Sequence, residues 1–148
     1  MMQEKNLENG TGCRTYKLTI LGFDSGLNEL LNGVHFDYRT KRIVNQVKKN
    51  NDEIMIRQIR FQIKDKITTP IVIHYAFYCK DKRRDRMNIA SAADKSFEDA
   101  LQKCGLISND GWNDVLNATF EFHIDKENPR IEITITEVET DARGLDKT

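Results

Sequence analysis

The chain reads as a single α+β domain with a mixed sheet, ordered β-α-β-α-β-β, with two main helices and a C-terminal β-hairpin. Three observations predict this. Segments that alternate apolar and polar residues, or are rich in β-branched and aromatic residues, fall near residues 15–20 and 71–79 and in two stretches close to the C-terminal end. Helical spacing fills the intervals on either side of residues 71–79. A length of 148 residues, 39% hydrophobic and 31% charged, suits one core without staples and excludes global disorder.

The domain is expected over residues 15–140, between a polar, flexible N-terminal segment (1–14) and a polar tail (141–148). "TYKLTILGF" alternates Tyr16, Leu18 and Ile20 against Thr15, Lys17 and Thr19, which predicts a strand. "DSGLNELLNG" reads as a loop with a short helical turn ending at Gly33. From about Lys41 to Ile63, Val44, Val47, Met55, Ile59 and Ile63 share one side of a helix. "KKNND" interrupts that pattern, and Asn51 is placed to cap a second helix opening with Asp52 and Glu53. "IRFQI" taken alone also passes for a strand.

A strand is predicted from Ile71 to Cys79, directly after Pro70. In the next segment Ala93, Phe97, Ala100, Leu101 and Cys104 recur at helical spacing. Asn88 or Ser91 can cap its start, and Gly105 ends it. "LNATFEFHID" and "PRIEITITEV" each alternate, and the intervening "KENP" reads as the turn of a hairpin.

The 23 basic and 23 acidic residues cancel, so net charge alone suggests no nucleic-acid partner. Their distribution differs: residues 39–86 are rich in Lys and Arg, whereas Glu137, Glu139, Asp141 and Asp146 mark an acidic end. That pattern fits a local positive face. Cys13, Cys79 and Cys104 are widely spaced and include no Cys-x-x-Cys pair, which argues against a disulfide framework or zinc site. No signal peptide or segment of membrane-spanning length is visible, so a cytoplasmic location is expected.

The densest chemistry lies in "DKRRDRMN". Lys80, Lys82, Arg83, Arg84 and Arg86 leave the predicted strand together, and their mutual repulsion is relieved by an anion such as phosphate. A solvated loop is the alternative. Asp85 sits among these bases, which favours its ionised form. Asp110 follows the helix in an Asp-Gly turn and also has a plain reading as turn chemistry. Brought together, Asp85 and Asp110 would offer the oxygen ligands that Mg²⁺ prefers, with phosphate and water completing its shell. Lys95, on the polar side of the helix, either pairs with Asp99 or adds positive charge beside a transferring phosphate. His35, His74 and His123 lack ligand spacing and read as packed or hydrogen-bonded. Trp112 reads as core or rim packing, with base stacking as the alternative.

"RRDRMN", the helix ending "FEDALQKCGLI" and the turn "NDGW" resemble the RusA family of Holliday junction resolvases, common in phages and prophages. "LNELLNG", "PIVIHYAFY" and "IEITITE" extend the similarity over roughly residues 16–137. The resemblance implies a homodimeric, Mg²⁺-dependent endonuclease that cuts four-way DNA junctions symmetrically in a bacterial host cell. By position it places the metal ligands at Asp85 and Asp110, both catalytic, and the catalytic lysine at Lys95. Lys82, Arg83, Arg84 and Arg86 would bind DNA. One position departs from the family's Asp-x-Asp-Asn motif: Met87 stands where the second aspartate is expected, and a thioether is a poor Mg²⁺ ligand. Asn88, Asp94 or Glu98 could supply the missing oxygen. The alternative is a branched-DNA-binding relative that does not cut.

Overall fold

A computed structural model describes residues 7–8, 13–24 and 38–139. Its elements are β1 (Leu7–Glu8), β2 (Arg14–Ile20), α1 (Tyr38–Gln62), β3 (Ile71–Cys79), α2 (Arg86–Lys103), β4 (Val115–Ile124) and β5 (Arg130–Glu137). The α+β class and mixed sheet follow the sequence expectation. The strands form one sheet in the order β1-β2-β5-β3-β4. The β1 pair, Leu7 and Glu8, lies inside the predicted N-terminal segment. The predicted helical turn ending at Gly33, His35 and the tail 141–148 lie outside the described residues.

Strand β3 pairs in parallel with β4, and α2 is the crossover between them. Parallel neighbours require such a crossover, because a tight turn can join only antiparallel strands. β5 then pairs antiparallel with both β3 and β2. The expected C-terminal hairpin is therefore corrected: β4 and β5 flank β3 rather than each other. The link 125–129 crosses the end of β3, where Asp125 N–H donates to the Cys79 carbonyl at 2.8 Å. The physical reason is burial. β3 is apolar on nearly every residue and gains most from the central position, leaving the half-polar β4 at the edge.

The core lies between one sheet face and the two helices. Tyr75, Phe77, Ile133 and Ile135 from the sheet meet Met55 and Ile59 of α1 and Phe97 and Leu101 of α2. Tyr75 takes Phe97 edge-on, with ring centroids 5.9 Å apart. Truncating a fully buried ring such as Phe97 to Ala would cost about 3–5 kcal/mol.

Helix α1 is continuous, so the expected break at "KKNND" does not occur. Asn51 is not a cap but a buried side chain in mid-helix. Its Oδ1 accepts from Asp24 N–H at 2.9 Å and its Nδ2 donates to the Asp24 carbonyl at 2.8 Å. Gln58 grips Leu21 in the same way at 3.1 and 2.8 Å, and Gln62 grips Thr19 at 2.8 and 2.8 Å. Three amides on one helix face thus satisfy backbone groups along the free side of β2, in place of another strand.

Helix α2 ends as expected. Gly105 adopts φ +72, Leu106 N–H donates to the Leu101 carbonyl, and Gly105 N–H donates to that of Gln102. At the far end of the sheet, buried Glu137 accepts from Thr68 N–H (2.8 Å), Arg14 N–H (3.1 Å) and the Arg14 guanidinium (3.3 Å). This joins the start of β2, the end of β5 and the linker before β3.

Candidate functional site

The basic loop leaves the end of β3 and enters α2. Asp81 Oδ1 accepts from Arg83 N–H at 3.0 Å and tightens the bend. Lys80, Lys82, Arg83 and Arg86 are exposed, and the Arg86 guanidinium rests 6.0 Å from the Phe122 ring centroid. Arg84 behaves differently. It is half-buried and places Nη1 3.4 Å from Asp24 Oδ1, bracing the loop against the chain beyond β2. Three of the four predicted phosphate contacts therefore face solvent, and the fourth helps hold their platform.

Asp85 is the N-cap of α2, correcting the expectation of Asn88 or Ser91. Its Oδ1 accepts from Met87 N–H at 2.9 Å and Asn88 N–H at 3.1 Å. A carboxylate here satisfies orphan N–H groups and complements the positive helix end, contributing about 1 kcal/mol. Both bonds use Oδ1, which leaves Oδ2 available to another partner.

Asp110 stands elsewhere. The 18-residue α2 is about 27 Å long, with Asp85 at its start and Asp110 beyond its end. Ile71 N–H donates to the Asp114 carbonyl, so the turn around Asp110 lies at the beginning of β3, whereas Asp85 follows its end. The charge of Asp110 instead acts on Glu98, thirteen residues past Asp85 and about 20 Å along the helix. The predicted pair is thus not brought together within one chain, because the crossover helix carries its members to opposite ends of the sheet.

Two of the acids expected to supply the missing oxygen, Asp94 and Glu98, lie nearer to Asp110 than to Asp85. Tyr75, buried in β3, donates its hydroxyl to Asp94 Oδ1 at 2.7 Å. Burial, a hydrogen bond with Asp94 and the charges of Asp94, Asp110 and Asp99 push the Glu98 carboxyl up to about 9. Glu98 therefore carries a proton at neutral pH. The signal in the sequence was two acids four residues apart on a helix face bordered by Ala93 and Phe97. Among the described residues, no three His, Cys, Asp or Glu side chains are grouped so as to hold a metal ion.

The remaining candidates fall into place singly. Met87 is 63% exposed in the first turn of α2, and Lys95 is exposed midway along it. His74 bonds Thr119 at 2.6 Å and Glu121 at 2.9 Å, and His123 bonds Glu121 at 3.1 Å, as expected of hydrogen-bonded histidines. Trp112 is 95% exposed, which removes the packing reading. Among the described residues, no helix is long and apolar enough to cross a membrane. No protein-family model matches this chain, and no curated protein is similar enough to it to serve as a relative.

Proposed function

We propose that this chain acts as a Mg²⁺-dependent, structure-selective endonuclease on four-way DNA junctions, working as a pair of copies in the cytoplasm of a bacterial host. The observation that carries the reading is the position of Asp85 at a helix start, in a cleft it shares with Lys82, Arg84 and Arg86. Such a site pairs phosphate attraction with a carboxylate that keeps one oxygen in reserve. The resemblance of residues 83–112 to the RusA family supports it. Phosphate contacts carry no base information, which suits selection by DNA shape.

Because Asp85 and Asp110 lie at opposite ends of the sheet within one copy, a shared cation requires Asp85 from one copy and Asp110 from another. Bound there, Mg²⁺ would neutralise the scissile phosphate and polarise water. Lys95, ten residues past Asp85 on α2, would add positive charge from the copy that gives Asp110. A two-fold pair presents two such sites to a two-fold junction.

One observation favours a second reading, in which the protein binds branched DNA without cutting. Met87 projects into solvent where the family motif carries a carboxylate, and no other acid occupies that turn. Nicking of a synthetic four-way junction with and without Mg²⁺ separates the two. Asp85→Asn is the sharpest control, since Asn caps a helix as well as Asp and the fold is spared. The nuclease reading expects binding without nicking from this variant. Nicking at the wild-type rate would remove Asp85 from the chemistry, and salt-sensitive binding with no Mg²⁺-dependent nicking by the wild type would select the second reading.

A further inference from the structure

The two edges of the sheet are finished differently. On one side β1 pairs with Arg14 and Thr15, and the amides of Gln62, Gln58 and Asn51 cover Thr19, Leu21 and Asp24. On the other side β4 is last in the sheet, and among the described residues its ladder partners all lie on β3. Unpaired edges in natural proteins are usually short or carry Lys or Pro to discourage pairing. β4 is ten residues long, and its sequence VLNATFEFHI holds neither. Its one acid, Glu121, is bonded to His74 and His123.

We propose that β4 is a self-pairing edge on which a second copy of this chain lays its own β4 antiparallel, with the two-fold axis at Phe120. The two sheets then become one. The register follows from the side chains. Backbone groups that point outward alternate along a strand, so a two-fold axis can pass only through a residue position, never between two residues. With the axis at Phe120, Asn117 faces His123, Ala118 faces Phe122 and Thr119 faces Glu121 of the second copy. Ile124, 50% exposed in one chain, comes against the bulge residue Leu116, 38% exposed, where the regular ladder ends on each side. Moving the axis to Glu121 opposes two carboxylates. Moving it to Thr119 sets Ile124 against Asp114. The bulge between Val115 and Asn117 bounds the regular ladder on one side.

Antiparallel pairing also turns the ends of β4 toward each other. The strand begins beside the turn that holds Asp110, and it ends at a cleft of about 500 Å³ lined by Asp85, Arg86, Phe122 and Ile124. Each copy thus directs its Asp110 end toward the Asp85 end of the other, the arrangement that the proposed nuclease needs. The pairing itself stands on the edge alone and does not rest on that activity.

Sedimentation equilibrium of the full chain is expected to give twice the 17.2 kDa of one chain. Leu116→Lys with Ile124→Lys should yield a folded monomer with an unchanged circular dichroism spectrum, because both side chains are exposed in one copy. Phe120→Cys should form a covalent dimer on oxidation, above any seen for the wild type, since opposed residues in an antiparallel pair lie within disulfide reach. A monomeric wild type, a dimer that withstands both lysines, or a Phe120→Cys chain that does not crosslink would overturn the pairing. Nicking is read separately: a dimer that cuts no junction leaves the pairing standing and removes the nuclease, and a cutting monomer does the reverse.

Discussion

Asn51 in the middle of α1 and Asp24 beyond the end of β2 are joined by two hydrogen bonds of 2.9 and 2.8 Å through one side-chain amide. Replacing Asn51 by Leu keeps much of the volume but strands both backbone groups of Asp24. The expected cost is about 1–3 kcal/mol, the penalty for buried polar groups left unsatisfied. Because Asp24 also braces Arg84, the basic loop should lose protection. Urea unfolding with an unchanged m-value, together with faster amide exchange in residues 80–85, is the expected result. An unchanged midpoint would mean that the amide contacts contribute nothing net.

This pair also marks where sequence reading stops. The strand at Tyr16 and the helix carrying Phe97 were legible because burial imposes a period on the side chains, and the strand at Ile71 because its run is mostly β-branched and aromatic. Asn51 was misread because a polar residue on an apolar stripe resembles a break unless its backbone partner is known. That partner lies twenty-seven residues away. The β4–β5 hairpin was misread for a related reason: alternation shows that a strand exists but not which neighbour it chooses. Asp85 and Asp110 were both visible as chemistry, but the crossover that parts them is a property of the parallel pairing of β3 with β4.

Glu137 controls the acid limb of stability. Burial pushes its carboxyl upward, but hydrogen bonds from Thr68 and Arg14 N–H and from the Arg14 guanidinium outweigh burial and leave its pKa lowered. A depressed carboxylate contributes stability that is present above its ordinary value and lost as pH falls through the folded one. Thermal melts between neutral pH and pH 3 should therefore show a stability loss that is smaller in Glu137→Gln. At neutral pH that variant should be weaker by about 3 kcal/mol, since it leaves Arg14 without its charge partner. Parallel pH profiles for the two proteins would exclude the role.

Glu98 acts in the opposite direction. Its carboxyl, raised to about 9 by burial and by its hydrogen bond and charge interactions with Asp94, keeps a proton that the unfolded chain releases near 4.5. A raised pKa contributes stability that is full below the unfolded value and lost as pH rises through the folded one. Stability from this group should fall between pH 5 and 9. Glu98→Gln mimics the protonated form and should flatten that fall. Denaturation midpoints at pH 6 and pH 9 measure it, and an equal drop in wild type and variant would place the proton elsewhere.

Lys82 and Arg83 are exposed bases of the loop. If they grip DNA, Lys82→Ala with Arg83→Ala should reduce the slope of log K against log salt by about two, one for each contact. Arg84→Ala should behave differently, weakening the loop's hold on Asp24 before any effect on DNA. Fluorescence anisotropy with a labelled four-way junction across a salt series reads both. A slope unmoved by the double substitution would take the loop off the DNA.

Met87 tests whether a missing carboxylate limits the chemistry. It lies in the first turn of α2, exposed, two residues after Asp85. Within the copy that supplies Asp85, Asp94 and Glu98 are poorly placed to replace the lost ligand. Asp94 is seven residues farther along the helix, about 10 Å away, and one of its oxygens already accepts the Tyr75 hydroxyl. A site that works with one carboxylate fewer should bind Mg²⁺ weakly, because hard-cation affinity follows the count of charged oxygen ligands. Met87→Asp should then lower the Mg²⁺ concentration for half-maximal nicking by about tenfold, a change equivalent to about 1.4 kcal/mol. The substitution is benign for the fold, since an aspartate in the first helical turn complements the dipole. Asp94→Asn should leave the titration in place, because Asp94 Oδ1 is already engaged by the buried Tyr75 hydroxyl. If instead Met87→Asp leaves the Mg²⁺ midpoint unmoved while Asp94→Asn abolishes nicking, the cation belongs with Asp94, Glu98 and Asp110, and Asp85 serves only as the cap of its helix.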